Sequence, residues 1–321
     1  MSLRYRTLGR TGIAVSEIGF GAWGIGGDAG GAVAYGPAER GESLDALHAA
    51  LDRGITFYDT ADFYGHGRSE ELIGEAFGKR RAEVVIATKA GLLRDGAHYD
   101  FSPGYLRRSL EASLKRLRTD YVDLYQLHSP PPGAFDESTL AALESMRREG
   151  RIREIGLSAR SPEEARGAIE RHGFACVQVN FNLLDQRAPE CGLFEIAERE
   201  RTGMIVRTPL CFGFLTGRYS AHDAFHERDH RRRWSAGQRE RWAGATARFA
   251  DVVAALPGQT PAQFALRYCL SYTCVSTAIP GMLAASHVEE NAGAAALPPL
   301  GSAERARIAE IYSQSNFFVG R

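Results

Sequence analysis

Short apolar runs recur along the chain, and amphipathic stretches separate them. The runs are SEIGFG (16–21), ITFYDT (55–60), VVIATK (84–89), VDLYQLH (122–128), IREIGLS (152–158), CVQVN (176–180), MIVRT (204–208) and CVSTAI (274–279). Several are apolar on consecutive residues rather than on alternate ones. That pattern suits parallel strands covered on both faces. Three stretches between them read as helices. SLDALHAALDRG (43–54) starts at Ser43, taken as a cap, and stops at Gly54. SPGYLRRSLEASLKRLR (102–118) has Ser102 as a cap, Pro103 in the first turn and apolar residues at 106, 110, 114 and 117. SPEEARGAIERHG (161–173) repeats the Ser-Pro start and the Gly stop.

Repeated β–α units with no break in composition predict an α/β fold, a (β/α)8 TIM barrel forming one domain over 1–321. A doubly wound sheet is the alternative, and the absence of GxGxxG after the first run weakens it. Two segments depart from the repeat. RYRTLGRTGIAVS (4–16) reads as a β-hairpin capping the barrel bottom. GRYSAHDAFHERDHRRRWSAG (217–237) is polar, studded with aromatics and long for a loop, which marks it as functional or disordered.

In such barrels the active site sits at the C-terminal ends of the strands. Polar residues stand there: Asp59 with Tyr64 beyond it, Lys89, His128, Ser158, and Gln178 within the sixth run. An ammonium beside a phenol favours the phenolate, so Lys89 makes Tyr64 a better proton donor, and Asp59 keeps Lys89 charged and oriented. His128 can hydrogen-bond the same carbonyl oxygen. This set equips a site to reduce a carbonyl, given a source of hydride. Taken singly, each residue has other readings. Lys89 could form a Schiff base, Asp59 or His128 could bind a metal, and an isolated Asp is most often a cap or turn residue.

Composition narrows the field. The 321 residues are 44% hydrophobic, enough for a large core, and 39 Lys plus Arg balance 39 Asp plus Glu. No partnership with nucleic acid or an acidic membrane is indicated. Five scattered cysteines, no CxxC, no HxH and no clustered carboxylates leave neither a disulfide framework nor a metal site to expect. No apolar run approaches the ~18 residues of a membrane span, and the polar start carries no signal peptide. A cytoplasmic protein is expected.

The chain resembles the aldo-keto reductase family in LGRTGIAVSEIGFGAW, GITFYDTADFYGHGRSEELIGEAF, VVIATKAG, SLKRLRTDYVDLYQLHSP, GRIREIGLS, QVNFNLLDQ, RTPLCFGFLTGRY and AIPG…HVEEN. These motifs run through almost the whole chain. The resemblance implies the (β/α)8 barrel, the catalytic four Asp59, Tyr64, Lys89 and His128, and a nicotinamide dinucleotide held without a Rossmann domain. It implies that Gly21, Ala22 and Trp23 flank the nicotinamide and substrate, with Trp23, Tyr64 and His128 touching substrate. Ser158 and Gln178 would hold the carboxamide. In the loop thought to wrap the pyrophosphate, backbone N–H groups near Pro209 to Leu215, including those of Leu210 and Cys211, would face phosphate oxygens. Gly213 and Gly217 would allow close approach, and Arg218 would supply charge. Gly281, Met282, Leu283, His287, Glu290 and Asn291 would line the adenosine end.

Several positions depart from the family pattern. Ala159 replaces a frequent Asn after Ser158, so one hydrogen bond to the carboxamide is expected to be missing. Arg207 stands where many relatives carry Tyr or Trp against the nicotinamide. Its planar guanidinium can stack on a ring, and its charge is expected to bias the enzyme toward reduction. Leu283 replaces an Arg that often meets the 2′-phosphate of NADP, and His287 replaces a Gln. Loss of that Arg removes a bidentate phosphate partner, yet NADP(H) remains the expected cofactor, with NAD as the alternative.

Other features have plainer readings beside the functional ones. HERDHRRRW (226–234) reads as a solvated face, or as a lid whose Arg228, Arg231, Arg232 and Arg233 meet an anionic substrate such as a phosphorylated sugar. Trp234 and Trp242 read as anchors, Cys211 as packing, and GIGGDAGG as a flexible mouth loop rather than a phosphate cradle. Phe317 and Phe318 could fold over the pocket. The expected activity is NAD(P)H-dependent reduction of an aldehyde or ketone, including sugar-derived carbonyls, to an alcohol. A redox-sensing regulatory subunit, an aldolase and a metal-dependent hydrolase on the same barrel are the alternatives. The partner is a small carbonyl compound, and oligomeric state is not readable.

Overall fold

The structure is a computed structural model describing residues 3–31 and 34–319. Its first strands, β1 (Tyr5–Thr7) and β2 (Ala14–Ser16), pair antiparallel with Tyr5 opposite Ser16. Eight parallel strands follow in sequence order around one sheet: β3 (Phe20–Gly21), β4 (Phe57–Asp59), β5 (Val85–Ala90), β6 (Val122–His128), β7 (Ile152–Ser158), β8 (Cys176–Asn180), β9 (Gly203–Arg207) and β10 (Val275–Ala278). Parallel bridges Ile18–Ala278 and Gly21–Gly281 join the first strand to the last. The result is the (β/α)8 barrel with its hairpin.

The main helices between the strands are α1 (Arg40–Asp52), α2 (Arg68–Phe77), α3 (Pro103–Leu117), α4 (Glu137–Arg148), α5 (Pro162–His172), α6 (Arg187–Glu190), α7 (Leu193–Arg199), α8 (Ala236–Ala243), α9 (Ala250–Ala254) and α10 (Pro261–Leu270); α11 (Ala285–Ala296) and α12 (Ser302–Ser313) follow β10. Ser102 and Ser161 cap α3 and α5, accepting from Tyr105 N and Glu164 N. Ser43 is not a cap. Helix α1 starts three residues earlier, and the Ser43 hydroxyl donates back to the Glu39 carbonyl, a bond available inside the first turn. Among the described residues no helix is long and apolar enough to cross a membrane.

The barrel interior has two layers. Phe57, Ala87, Leu124, Cys176, Ile205 and Ile279 form an apolar cluster closed from below by Leu8 and Val15 of the hairpin. Two residues further along each strand, the inward side chains turn polar: Asp59, Lys89, Gln126 and Gln178, then His128 and Ser158. Period-two alternation places these groups directly above an apolar floor.

Candidate active site

Lys89, fully buried, organises the polar layer. Its Nζ donates to Asp59 Oδ1 (2.5 Å), to the Thr60 carbonyl (2.8 Å) and to Tyr64 Oη (3.1 Å). Burial pulls its pKa down, but the Asp59 and Tyr64 charges outweigh it and leave the ammonium above its ordinary value. Asp59 Oδ2 accepts from Gln126 Nε2 (3.1 Å) and Gln178 Nε2 (2.7 Å), so both carboxylate oxygens are satisfied. Four strands thus converge on one ion pair.

Tyr64 is delivered by a tight turn beyond β4. Gly65, His66 and Gly67 all have positive φ. A Cβ on Gly65 would lie 2.1 Å from the Gly26 carbonyl oxygen, so only glycine fits there. In GIGGDAGG (24–31) the first half, Gly24–Gly27, is therefore buried backing for the Tyr64 turn rather than a free mouth loop, while Ala29 and Gly30 in the second half are exposed. The His128 ring meets the Tyr64 ring at 5.9 Å, edge to face. Burial, with the charges of Lys89 and Arg207, holds the His128 pKa well below its usual value, so the imidazole is neutral. Its Nδ1 is buried and has no partner.

These groups open into one cavity of about 460 Å³. Of the positions singled out in the sequence, Gly21, Ala22, Trp23, Asp59, Tyr64, His128, Ser158, Gln178, Arg207, Pro209, Leu210, Gly213, Arg218, Gly281, Leu283, His287, Glu290 and Asn291 line it. The side chains of Cys211, Leu215 and Met282 sit in the hydrophobic core, and Gly217 is exposed. The N–H groups of Cys211, Gly213 and Leu215 donate to the Thr208 and Leu210 carbonyls. Sequence reading missed Tyr35, Leu92, Asn180, Thr208, Phe212 and Tyr219 as lining residues. Asn180 carried the clearest signal, closing its strand two residues after Gln178.

The rim is charged but paired. Arg218 donates to Glu290 (2.7 Å). His287 Nδ1 accepts from the Leu283 N–H (3.3 Å), and burial and the Arg218 charge push its pKa down. Of the four arginines considered for an anion-greeting lid, Arg232 and Arg233 are exposed, whereas Arg228 and Arg231 have carboxylate partners. Arg231 is buried, chelates Asp229 (2.6 Å to Oδ2), and lies over the rings of Tyr35, Tyr219 and Phe225. Arg228 reaches Asp28 at 3.5 Å. Trp234 and Trp242 pack on each other and on Phe212, as anchors do. Phe317 packs on Phe249 and Tyr312 in the core, away from the cavity.

The Aldo/keto reductase family model matches residues 17–313. The chain belongs to this family. It is 33% identical over 304 residues to the NADP(+) aldo-keto reductase yakc of Schizosaccharomyces pombe, covering 92% of this chain and 87% of that protein. It is 30% identical to the L-glyceraldehyde 3-phosphate reductase of Escherichia coli strain K12, over 90% of this chain and 86% of the relative. The solved glycerol dehydrogenase AKR11B4 from Gluconobacter oxydans superposes with a TM-score of 0.80 at 26% identity, covering 98% of this chain and 95% of that one. Aldo-keto reductases are oxidoreductases that use NAD(P)H and act on small carbonyl compounds. The residues of this cavity fit such a cofactor: the buried, unpartnered Nδ1 of His128 and the satisfied Asp59–Lys89 pair leave Tyr64 as the group presented to a ligand.

Proposed function

We propose that this aldo-keto reductase reduces an aldehyde or ketone to an alcohol, with Tyr64 as general acid. The observation that carries the reading is the Lys89 ammonium on Tyr64 Oη at 3.1 Å, itself held by Asp59, beside a neutral His128. When bound, the reduced nicotinamide supplies the hydride to the carbonyl carbon. Tyr64 Oη hydrogen-bonds the carbonyl oxygen and passes its proton as negative charge develops there. The phenolate left behind lies against Lys89, which Asp59 keeps charged. Solvent then returns the proton. Neutral His128 orients the same oxygen without competing as an acid. The apolar floor below keeps these charges in a low-dielectric setting, where they act strongly.

Within the cofactor class, NADP(H) is the first reading and NAD(H) the alternative. The yeast relative is an NADP(+) aldo-keto reductase, which favours NADP(H), whereas Leu283 in place of Arg and the lowered pKa of His287 weaken two sequence arguments for it. Arg218, exposed and bound to Glu290 alone among the described carboxylates, is the rim cation best able to meet a 2′-phosphate. Sugars and small polyol-derived carbonyls are the first substrates to screen, on the names of the bacterial relatives.

Nicotinamide absorbance would follow turnover with both cofactors against sugars, simple aldehydes and ketones. Tyr64→Phe should lower kcat by roughly 10²–10⁴ while cofactor titration and melting temperature stay as in wild type. Turnover retained in that variant would overturn the reading. Negligible wild-type turnover across the whole screen, with cofactor still bound, would favour the regulatory-subunit alternative.

A further inference from the structure

Three guanidinium groups line the cavity, and their partners differ. Arg218 is paired with Glu290 and Arg231 with Asp229. The Lys89 ammonium nearby has Asp59. Arg207 has no ion pair among the described residues. Its Nε donates to Asn180 Oδ1 at 2.7 Å and its Nη1 to Ser158 Oγ at 2.9 Å, both neutral acceptors. Ser158 in turn donates to Gln178, which holds Asp59, so the guanidinium is tied into the catalytic layer. Arginine stays charged in proteins, and a charge drawn out of water without a counterion is unfavourable. The cavity therefore keeps one guanidinium with no carboxylate in direct contact among the described residues, Asp59 and Asp185 acting on it only from a distance.

The charge is placed and fixed. Two of the three guanidinium nitrogens are pinned from the end of β9, so this is not a long arm free to follow a mobile ligand. Arg207 also belongs to the reaction centre electrostatically, since its charge is one of those that keep His128 neutral. Hydride transfer turns a neutral dihydropyridine into a cationic pyridinium. The ring has to lie in van der Waals reach of a carbonyl whose oxygen meets Tyr64 and His128. A cation fixed in that cavity repels the pyridinium and is indifferent to the dihydropyridine.

We propose that Arg207 makes the site discriminate between redox states of its cofactor, holding reduced nicotinamide more tightly than oxidised. The inference rests on the proposal that a nicotinamide occupies this cavity. By linkage, the bound reduced form becomes a weaker reductant and the oxidised form leaves more readily. Where cofactor release limits turnover, that favours the reductive direction.

The test is fluorescence titration of wild type, Arg207→Lys and Arg207→Met with the reduced and oxidised forms of both dinucleotides. Wild type should bind the reduced form at least about tenfold more tightly, ~1.4 kcal/mol. Arg207→Lys should keep that preference. Arg207→Met should bring the two affinities within about threefold of each other, chiefly by tightening the oxidised form. If methionine does not fold, Arg207→Gln makes the same comparison. A wild-type ratio retained in the neutral variant overturns the inference, and so does equal weakening of both forms. An unchanged ratio with KM raised only for carboxylate- or phosphate-bearing aldehydes also overturns it, assigning the charge to a substrate anion. Failure of wild type to bind either dinucleotide defeats the nicotinamide reading itself.

Discussion

Asp62 lies on the turn that carries the chain from Asp59 to Tyr64. Its Oδ2 accepts from Ser109 Oγ at 2.7 Å, while its Oδ1 is buried and unpartnered. Burial pushes the carboxyl up to about 7, with Ser109 pulling the other way. A folded value raised above the unfolded one gives stability that is present in acid and lost as pH rises from about 4 toward 7. Asp62→Asn should therefore melt at a higher temperature than wild type at pH 8, and the gap should shrink as pH falls toward 4. A gap that is constant with pH would show that ionisation is not the cause. The contrast with Asp59 is instructive. That carboxylate is more deeply buried but receives an ammonium and two amides, so enclosure is costly to an acid here where its donors are missing.

The loop over the cavity behaves as an element in its own right. Bridges from Asp229 to Ala34 and Tyr35 join it to the mouth loop, and His230 Nδ1 sits 2.9 Å from the Ala34 carbonyl. Trp23, Tyr35, Phe212 and Trp234 surround the His230 ring. Burial lowers its pKa to about 4. The sign is opposite to that of Asp62: the unfolded chain takes up this proton near pH 6.5, so stability is lost as pH falls from there toward 4. The shift corresponds to about 3 kcal/mol. Urea titrations of His230→Phe at pH 7 and pH 4.5 should show a smaller acid loss than wild type, though not none, because His128 shifts the same way. Little of this was legible beforehand. HERDHRRRW reads locally as a solvated charge run, and the rings that bury Arg231 come from Tyr35 and Tyr219 as well as nearby Phe225. By contrast β6, β7 and β8 occupy the very residues their apolar runs marked; β6 and most of β8 are buried on both faces, which leaves a continuous signal, whereas β7 is continuously buried only toward its C-terminal end. The run 16–21 was misjudged as one strand. Ser16 closes the hairpin and its hydroxyl accepts from Thr56 N, so the ladder restarts at Phe20.

At the scale of the whole molecule, the hairpin completes the barrel core. Leu8 is fully buried against the floor of the interior. Leu8→Ala should cost 2–5 kcal/mol by chemical denaturation and leave KM unchanged, since the site lies at the opposite end. A shifted KM would mean that the floor and the polar layer are coupled. The meeting of Asp59, Tyr64, Lys89 and His128 was readable because strand-end chemistry is local to each strand. The pairing of Arg218 with Glu290 and the isolation of Arg207 were not, since they depend on which ends meet across the barrel. Closure has a further consequence for how the chain folds. Ile18 bridges Ala278, 260 positions away (278 minus 18), and Arg6 reaches the carbonyls of Leu270, Tyr272 and Val275. Contacts so distant form late and slowly. Until they form, β3 and β10 are open sheet edges able to pair with another chain. During synthesis the emerging sheet must wait with the β3 edge unpaired until β10 appears, and aggregation competes with folding throughout that wait.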